Sequence, residues 1–221
     1  MDKKEIAKYL DCANHHPEAT PEAIRAVCKK VKDYGFHSAF VNPCFVPLAK
    51  ELLGQNGVVG TVVSFPLGQD ATEAKVFASI EATRRRADEL DVSMNVGLFK
   101  AGDEKTVLEE MKEIVGAVKA MKEKTIVKFI IETGLLTDDE IKRASELVVE
   151  SGADFVKTCS GMGPRGARLT DVALIKEAIG DKARIKVAGG VKNYEQAAAF
   201  IAAGAVQIGT SKAVEIISEE D

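Results

Sequence analysis

The chain has only four cysteines, Cys12, Cys28, Cys44 and Cys159, with no C-x-x-C pair and no regular spacing. That excludes a disulfide framework and suits a reducing compartment. No stretch approaches the ~20 apolar residues a membrane-spanning helix needs. The charged opening MDKKEIAKYL has no apolar run of the signal-peptide kind, so a cytoplasmic protein is expected. Basic charge is also short: 30 Lys and Arg stand against 34 Asp and Glu, a net charge of −4. No basic face marks a nucleic-acid partner, and the one basic cluster, Arg84–Arg86, ends a helical pattern where cations suit the dipole. His15, His16 and His37 lack H-x-x-x-H spacing, so no zinc site is expected, and His15-His16 reads as a loop. Neither a G-x-S-x-G elbow nor a Walker loop occurs. Gly161-Met-Gly163-Pro-Arg-Gly166 fits G-x-G-x-x-G with Asp181 downstream. Pro164 interrupts it, however, and the next helix signal waits until Thr170, so a dinucleotide site is not expected.

What is present is ordinary soluble composition, 46% hydrophobic and 29% charged over 221 residues, enough to bury a core without staples. Strand and helix signals alternate from end to end. A helix near Asp2–Tyr9 precedes a short strand at Leu10–Ala13, and Thr20-Pro21-Glu22 starts a helix that stops at Gly35. Strand-like runs follow at SAFVNP, VVGTVVSF, ELDVSMNV, TIVKFIIE, ADFVKTCSG, RIKVAGG and Ala205–Ile208, each trailed by a helical pattern. Thr137-x-x-Glu140 is a capping box for one of these helices. About eight strand–helix units with no linker imply an α/β fold, a (β/α)8 TIM barrel with an extra N-terminal helix, as one domain over residues 1–221. A doubly wound open sheet is the alternative.

Two strands carry lysines where none is expected. Period-2 alternation puts Lys157 on one face with Ala153 and Phe155, and RIKVAGG repeats the pattern with Lys186. The two lie 29 residues apart in sequence, one strand–helix–strand unit, so they fall on neighbouring parallel strands. Asp91, Ser93 and Asn95 share a face of ELDVSMNV, Lys128 and Glu132 one of TIVKFIIE, and Arg184 one with Lys186. In a barrel the charged set faces inward. Lys128 and Arg184 read as members of a self-satisfying ion network, and Lys157, Lys186 and Asp91 as chemistry. Two ammonium groups about 6 Å apart repel by roughly 3 kcal/mol at an effective dielectric near 20. That lowers one lysine by roughly two units from about 10.4. A lysine so shifted attacks carbonyls, and Asp91 can move the protons while holding Lys186 charged. Gly189-Gly190 and Gly209-Thr210-Ser211 precede the last two helices, where barrels commonly hold phosphate.

The segments FVNPCFVPLAKELL, VVGTVVSFPLGQDATEAKVFA, ADELDVSMNVG, KFIIETGLLTDDEI, SGADFVKTCSG, IKVAGGVKNYEQAAAFIAAGA and QIGTSKAVEI resemble, in this order, the deoxyribose-phosphate aldolases, a family of class I (Schiff-base) aldolases. The resemblance implies reversible cleavage of 2-deoxy-D-ribose 5-phosphate to acetaldehyde and D-glyceraldehyde 3-phosphate, with no metal or organic cofactor. Lys157 would be the Schiff-base lysine, Lys186 the lysine that tunes it, and Asp91 the proton relay. Asp11 would lie near the substrate hydroxyls, and Ser160, Gly161, Gly189, Gly190, Gly209, Thr210, Ser211 and Lys212 would bind the substrate and its phosphate. The implied partners are a phosphorylated sugar and aldehydes, with neither nucleic acid nor membrane, in a monomer, homodimer or larger homo-oligomer. The chain departs from the family at three places. Cys12-Ala13 stand where His-Thr is usual, which removes a hydroxyl from the substrate wall. Met162 stands where many members carry lysine, and Lys212 where many carry serine, so Lys212 is expected to restore the charge lost at Met162. A Schiff-base aldolase with another acceptor or donor, and a non-catalytic sugar-phosphate-binding barrel, are the competing readings.

Overall fold

The chain is described here from a computed structural model that covers residues 1–218. Helix α1 (Lys3–Ala7), closed by a capping box between Asp2 and Glu5, leads into β1 (Leu10–Asn14). The Thr20 hydroxyl accepts from the Ala23 N–H and Pro21 takes the first helical position of α2 (Pro21–Tyr34). That helix stops at Gly35, whose φ of 69° a side chain would resist. Then follow β2 (Ser38–Val41), α3 (Val46–Leu53), β3 (Val58–Val63) and α4 (Thr72–Arg84). β4 (Glu89–Ser93) is followed by the short α5 (Val96–Lys100) and α6 (Glu104–Met121). β5 (Ile126–Ile130), α7 (Asp138–Glu150), β6 (Phe155–Lys157) and α8 (Leu169–Ile179) come next. β7 (Arg184–Ala188), α9 (Tyr194–Ala202), β8 (Gln207–Thr210) and α10 (Ala213–Ser218) complete the described chain.

The eight strands pair in parallel and in sequence order, with β8 returning to β1, so the sheet is a closed barrel rather than an open one. Most strand boundaries differ from the sequence expectation by one to a few residues, β1 running one residue longer and most others ending early. ELDVSMNV stops as a strand at Ser93 because the Asn95 side chain accepts from the Leu98 N–H and caps α5, a helix the alternation did not reveal. ADFVKTCSG shortens to Phe155–Lys157, and the last strand slides to Gln207–Thr210.

Both faces of each central strand are buried, but they differ in kind. Leu90, Val92, Val127, Phe129, Val156, Ile185, Val187 and Ile208 point outward into a continuous apolar layer beneath the helices. Each such side chain contributes about 1.5–3 kcal/mol by leaving water. The α2 residues Ile24, Val27, Cys28 and Val31 and the α6 residues Val107, Met111, Ile114 and Val118 meet that layer from outside. The inward faces carry Asp11, Glu89, Asp91, Lys128, Lys157 and Lys186, all buried. The barrel therefore has an apolar sleeve and an ionic interior.

Candidate active site

Strand register brings the inward charges together. Lys157 on β6 is paired with Lys186 on β7, and Asp91 on β4 with Lys128 on β5. One oxygen of Asp91, Oδ2, accepts hydrogen bonds from both Lys157 Nζ and Lys186 Nζ at 2.7 Å each. Its other oxygen lies 3.7 Å from Lys128 Nζ. Lys186 also pairs with Asp11 Oδ2 at 2.7 Å, and Asp11 accepts from the Ser38 hydroxyl at 2.7 Å. Beneath, Lys128 binds Glu89, which meets His37 Nε2 at 2.8 Å and Gln207 Nε2 at 3.1 Å. Aromatic faces floor this network: Lys186 Nζ sits 3.5 Å from the centroid of Phe40 and Lys157 Nζ 5.8 Å from that of Phe65.

The two lysines are driven in opposite directions. Burial lowers Lys157, Asp91 opposes it, and Lys186 adds to the lowering. Lys186 is raised: against its own burial, Asp11 and then Asp91 hold it charged. Asp91 is pushed far below the ordinary carboxylate range, because Lys157 and Lys186 overcome the burial that would raise it. Desolvation lowers Lys157 most, and the repulsion from Lys186 adds to it, so both expected causes are present. Asp11, not Asp91 alone, keeps Lys186 protonated.

Above the network opens a cavity at the carboxyl ends of the strands. Lys157, Ser160, Gly161, Lys186, Gly189, Gly190, Gly209, Thr210, Ser211 and Lys212 all border it. Gly189 and Gly190 take φ of 89° and 86° in succession, a backbone course closed to most side chains. A Cβ on Gly209 would come within 3.3 Å of Lys186 Cε, so glycine there makes room for the lysine.

Three of the expected site residues have side chains already paired within the fold. Asp11 is fully buried and pairs with Lys186. Thr210 is buried and its hydroxyl is committed, donating to the Val191 carbonyl at 2.9 Å and accepting from the Lys212 N–H. Lys212 turns its ammonium to Glu215 at 2.9 Å, so the charge lost at Met162 is not handed to the cavity intact. Asp91 touches the lysines and does not border the cavity. Arg184 departs from the expected ion network: it is exposed and stacks at 4.2 Å on Phe155.

Several residues escaped the sequence reading. His15, just past the end of β1 at Asn14, borders the cavity; continuing the alternation of Asp11 and Ala13 beyond the strand would have found it. Lys192 borders the same mouth. Glu132, at a left-handed φ of 54°, accepts from the Ser160 N–H at 3.0 Å and so anchors the loop that follows Lys157. The G-x-G-x-x-G loop is a strap, with Arg165 bound to Asp171 at 2.6 Å and to the Thr133 carbonyl at 2.8 Å. Asp11, His37 and Glu89 bring ligand-type atoms within 4.8 Å of one another. Lys186, Lys128 and Gln207 already engage their carboxylates, which makes a poor cation site. No helix among the described residues is long and apolar enough to cross a membrane.

The profile of the DeoC/LacD family aldolases matches residues 2–213. A deoxyribose-phosphate aldolase of Aciduliprofundum boonei is 46% identical over 218 residues, 98% of this chain and 97% of that protein. Among solved structures, an aldolase designated QR15 superposes with a TM-score of 0.90 at 37% identity, covering 96% of this chain and 94% of the other. The deoxyribose phosphate aldolase of Aeropyrum pernix, a tetramer, gives 0.88 at 29% identity, covering 98% and 91%.

Proposed function

This chain belongs to the DeoC/LacD family of aldolases, and from that premise we propose that it cleaves 2-deoxy-D-ribose 5-phosphate reversibly to acetaldehyde and D-glyceraldehyde 3-phosphate through a Schiff base on Lys157. The observation that carries the reading is the unequal lysine pair bridged by a single carboxylate oxygen. Burial keeps a fraction of Lys157 neutral and nucleophilic, while Asp11 and Asp91 keep Lys186 charged. A pure sugar-phosphate binder has no use for such a pair, since burying like charges costs free energy that only chemistry repays.

In the cleavage direction the neutral Lys157 amine attacks C1 of the open-chain sugar. The carbinolamine loses water to give an iminium, with Asp91 and Lys186 passing the protons. The iminium draws in the electrons of the C2–C3 bond as that bond breaks, and the proton of the C3 hydroxyl leaves with the same relay. Glyceraldehyde 3-phosphate departs, the enamine takes a proton at C2, and water releases acetaldehyde and the free lysine. The iminium is the electron sink, so the proposal calls for no metal or organic cofactor. The glycine-lined mouth at Gly161, Gly189, Gly190 and Gly209, with Ser211 and the exposed Lys192 and Lys212 beside it, suits the phosphate. Backbone N–H groups and cations are the donors that an anion requires. A homo-oligomer accords with the tetrameric relative.

Borohydride reduction in the presence of acetaldehyde is the test. An ethyl group is expected on Lys157, found by peptide mass and absent in Lys157→Ala. An unmodified Lys157 in active enzyme, or an adduct that persists in the alanine variant, overturns the assignment.

A further inference from the structure

His15 has no part in the chemistry above, yet it sits at the reaction's edge. It stands just past the end of β1 at Asn14, in alternation with Asp11 and Ala13, and it borders the cavity together with Lys157, Ser160 and Lys186. Its ring is held between two phenyls, edge-on to Phe40 at 6.1 Å and tilted against Phe65 at 5.4 Å. Nε2 is shielded from bulk water, as Lys157 is, and has no hydrogen-bond partner among the described residues. An unpaired buried imidazole nitrogen carries a desolvation cost, and nothing in the fold offsets it. The ring stays neutral: burial, then the Lys157 charge, lower it to about 3.

We propose that His15 is a specificity-determining residue whose Nε2 hydrogen-bonds the C2 hydroxyl of the incoming glyceraldehyde 3-phosphate, the hydroxyl that becomes O4 of the sugar. The inference rests on the aldolase reading. The aldehyde oxygen is the other polar group within reach of Lys157, but it must gain a proton as the bond forms, which a ring this hard to protonate supplies poorly. A hydroxyl both donates and accepts, so it satisfies Nε2 in either tautomer. Ala13, two residues earlier on the same face, offers this wall no hydroxyl of its own, and His15 supplies the polar group the wall otherwise lacks.

The test measures aldol addition of acetaldehyde to D-glyceraldehyde 3-phosphate and to 3-oxopropyl phosphate, the same aldehyde without the hydroxyl. His15→Leu keeps the bulk and removes the nitrogen. It is expected to lower the kcat/KM ratio between the two acceptors by roughly threefold to tenfold, the range of one hydrogen bond between uncharged groups. His15→Gln, which keeps an N–H donor, is expected to recover part of the preference. An equal loss for both acceptors, or an unchanged ratio, overturns the role. Borohydride trapping keeps the two readings apart. No adduct on wild-type Lys157 strikes the aldolase assignment itself, whereas a normal adduct with an unchanged ratio strikes only His15.

Discussion

Replacing Lys186 with methionine removes one charge from the barrel at nearly constant volume, and the geometry sets the size of the response. Two 2.7 Å arms to the same Asp91 oxygen keep the two ammonium nitrogens within 5.4 Å of each other. At an effective dielectric of about 20 their repulsion at that separation is roughly 3 kcal/mol, about a hundredfold in the population of neutral Lys157 at a fixed pH. Asp91, released from Lys186, turns wholly toward Lys157 and pushes the same way. Lys157 is depressed in the wild type, so both changes raise it, and the acid limb of Schiff-base formation moves to higher pH. Burial of Lys157 is untouched, so the limb stays below that of an exposed lysine. The assay is the initial rate of borohydride-trapped acetaldehyde adduct on Lys157 as a function of pH, with the folded fraction checked by circular dichroism. That check matters because removing one partner from a buried pair costs about 3–5 kcal/mol. Lys186→Arg keeps the charge and should leave the limb near its wild-type position. A folded Lys186→Met enzyme with the wild-type acid limb would refute the claim that Lys186 tunes Lys157.

Gly60→Ala probes the floor beneath the lysines. A Cβ there would lie 2.1 Å from the Phe40 ring, so the ring must move off its place under Lys186. The variant should lose about 1–3 kcal/mol of stability by overpacking and part of its turnover, read from denaturant midpoints and kcat. Unchanged values in both would mean that Phe40 has room to yield. Acid stability tests His15 independently of substrate. With a folded value near 3 against 6.5 unfolded, its contribution is fully present above pH 6.5 and is lost as pH falls toward 3. It adds up to about 1.4 kcal/mol per pH unit to the slope over that window. Urea midpoints at successive pH values should fall less steeply for His15→Leu; parallel curves would show that the folded ring takes up its proton as readily as the unfolded one.

Much of this was legible because strand period and barrel topology act together. Once Lys157 and Lys186 are placed on the inward side of neighbouring parallel strands, their register follows, and Asp91 across the barrel has nowhere else to point. The glycines after β6 and β7, and Gly209 near the end of β8, were likewise readable from their places ahead of helix starts. What was not legible has a different cause, which is that residue type does not reveal what a side chain is already bonded to. Thr210 looks like a free hydroxyl in sequence and is spent on its own turn. Lys212 borders the cavity as a substrate cation would, and it also pairs with Glu215. Asp11 looks like a substrate ligand and is the counter-ion of Lys186. His15 does lie in a loop, one residue past the strand end at Asn14, and residue type alone did not reveal that its imidazole borders the cavity. Glu132 was placed on the inward face, but its reach to the Ser160 N–H depends on a left-handed backbone that the alternation does not reveal.

The ionic interior has a consequence for charge parity. Asp11, Glu89 and Asp91 face Lys128, Lys157 and Lys186, so the resting interior is neutral with every lysine protonated. When Lys157 gives up its proton to act as a nucleophile, the interior is left one unit negative, with Asp91 still fixed against its nitrogen. An iminium at that nitrogen returns the missing positive charge to the place the carboxylate already occupies. The barrel is then an electrostatic mould for the intermediate rather than for the free amine. It favours the covalent state because that state alone carries carbon on the nitrogen and keeps the interior neutral.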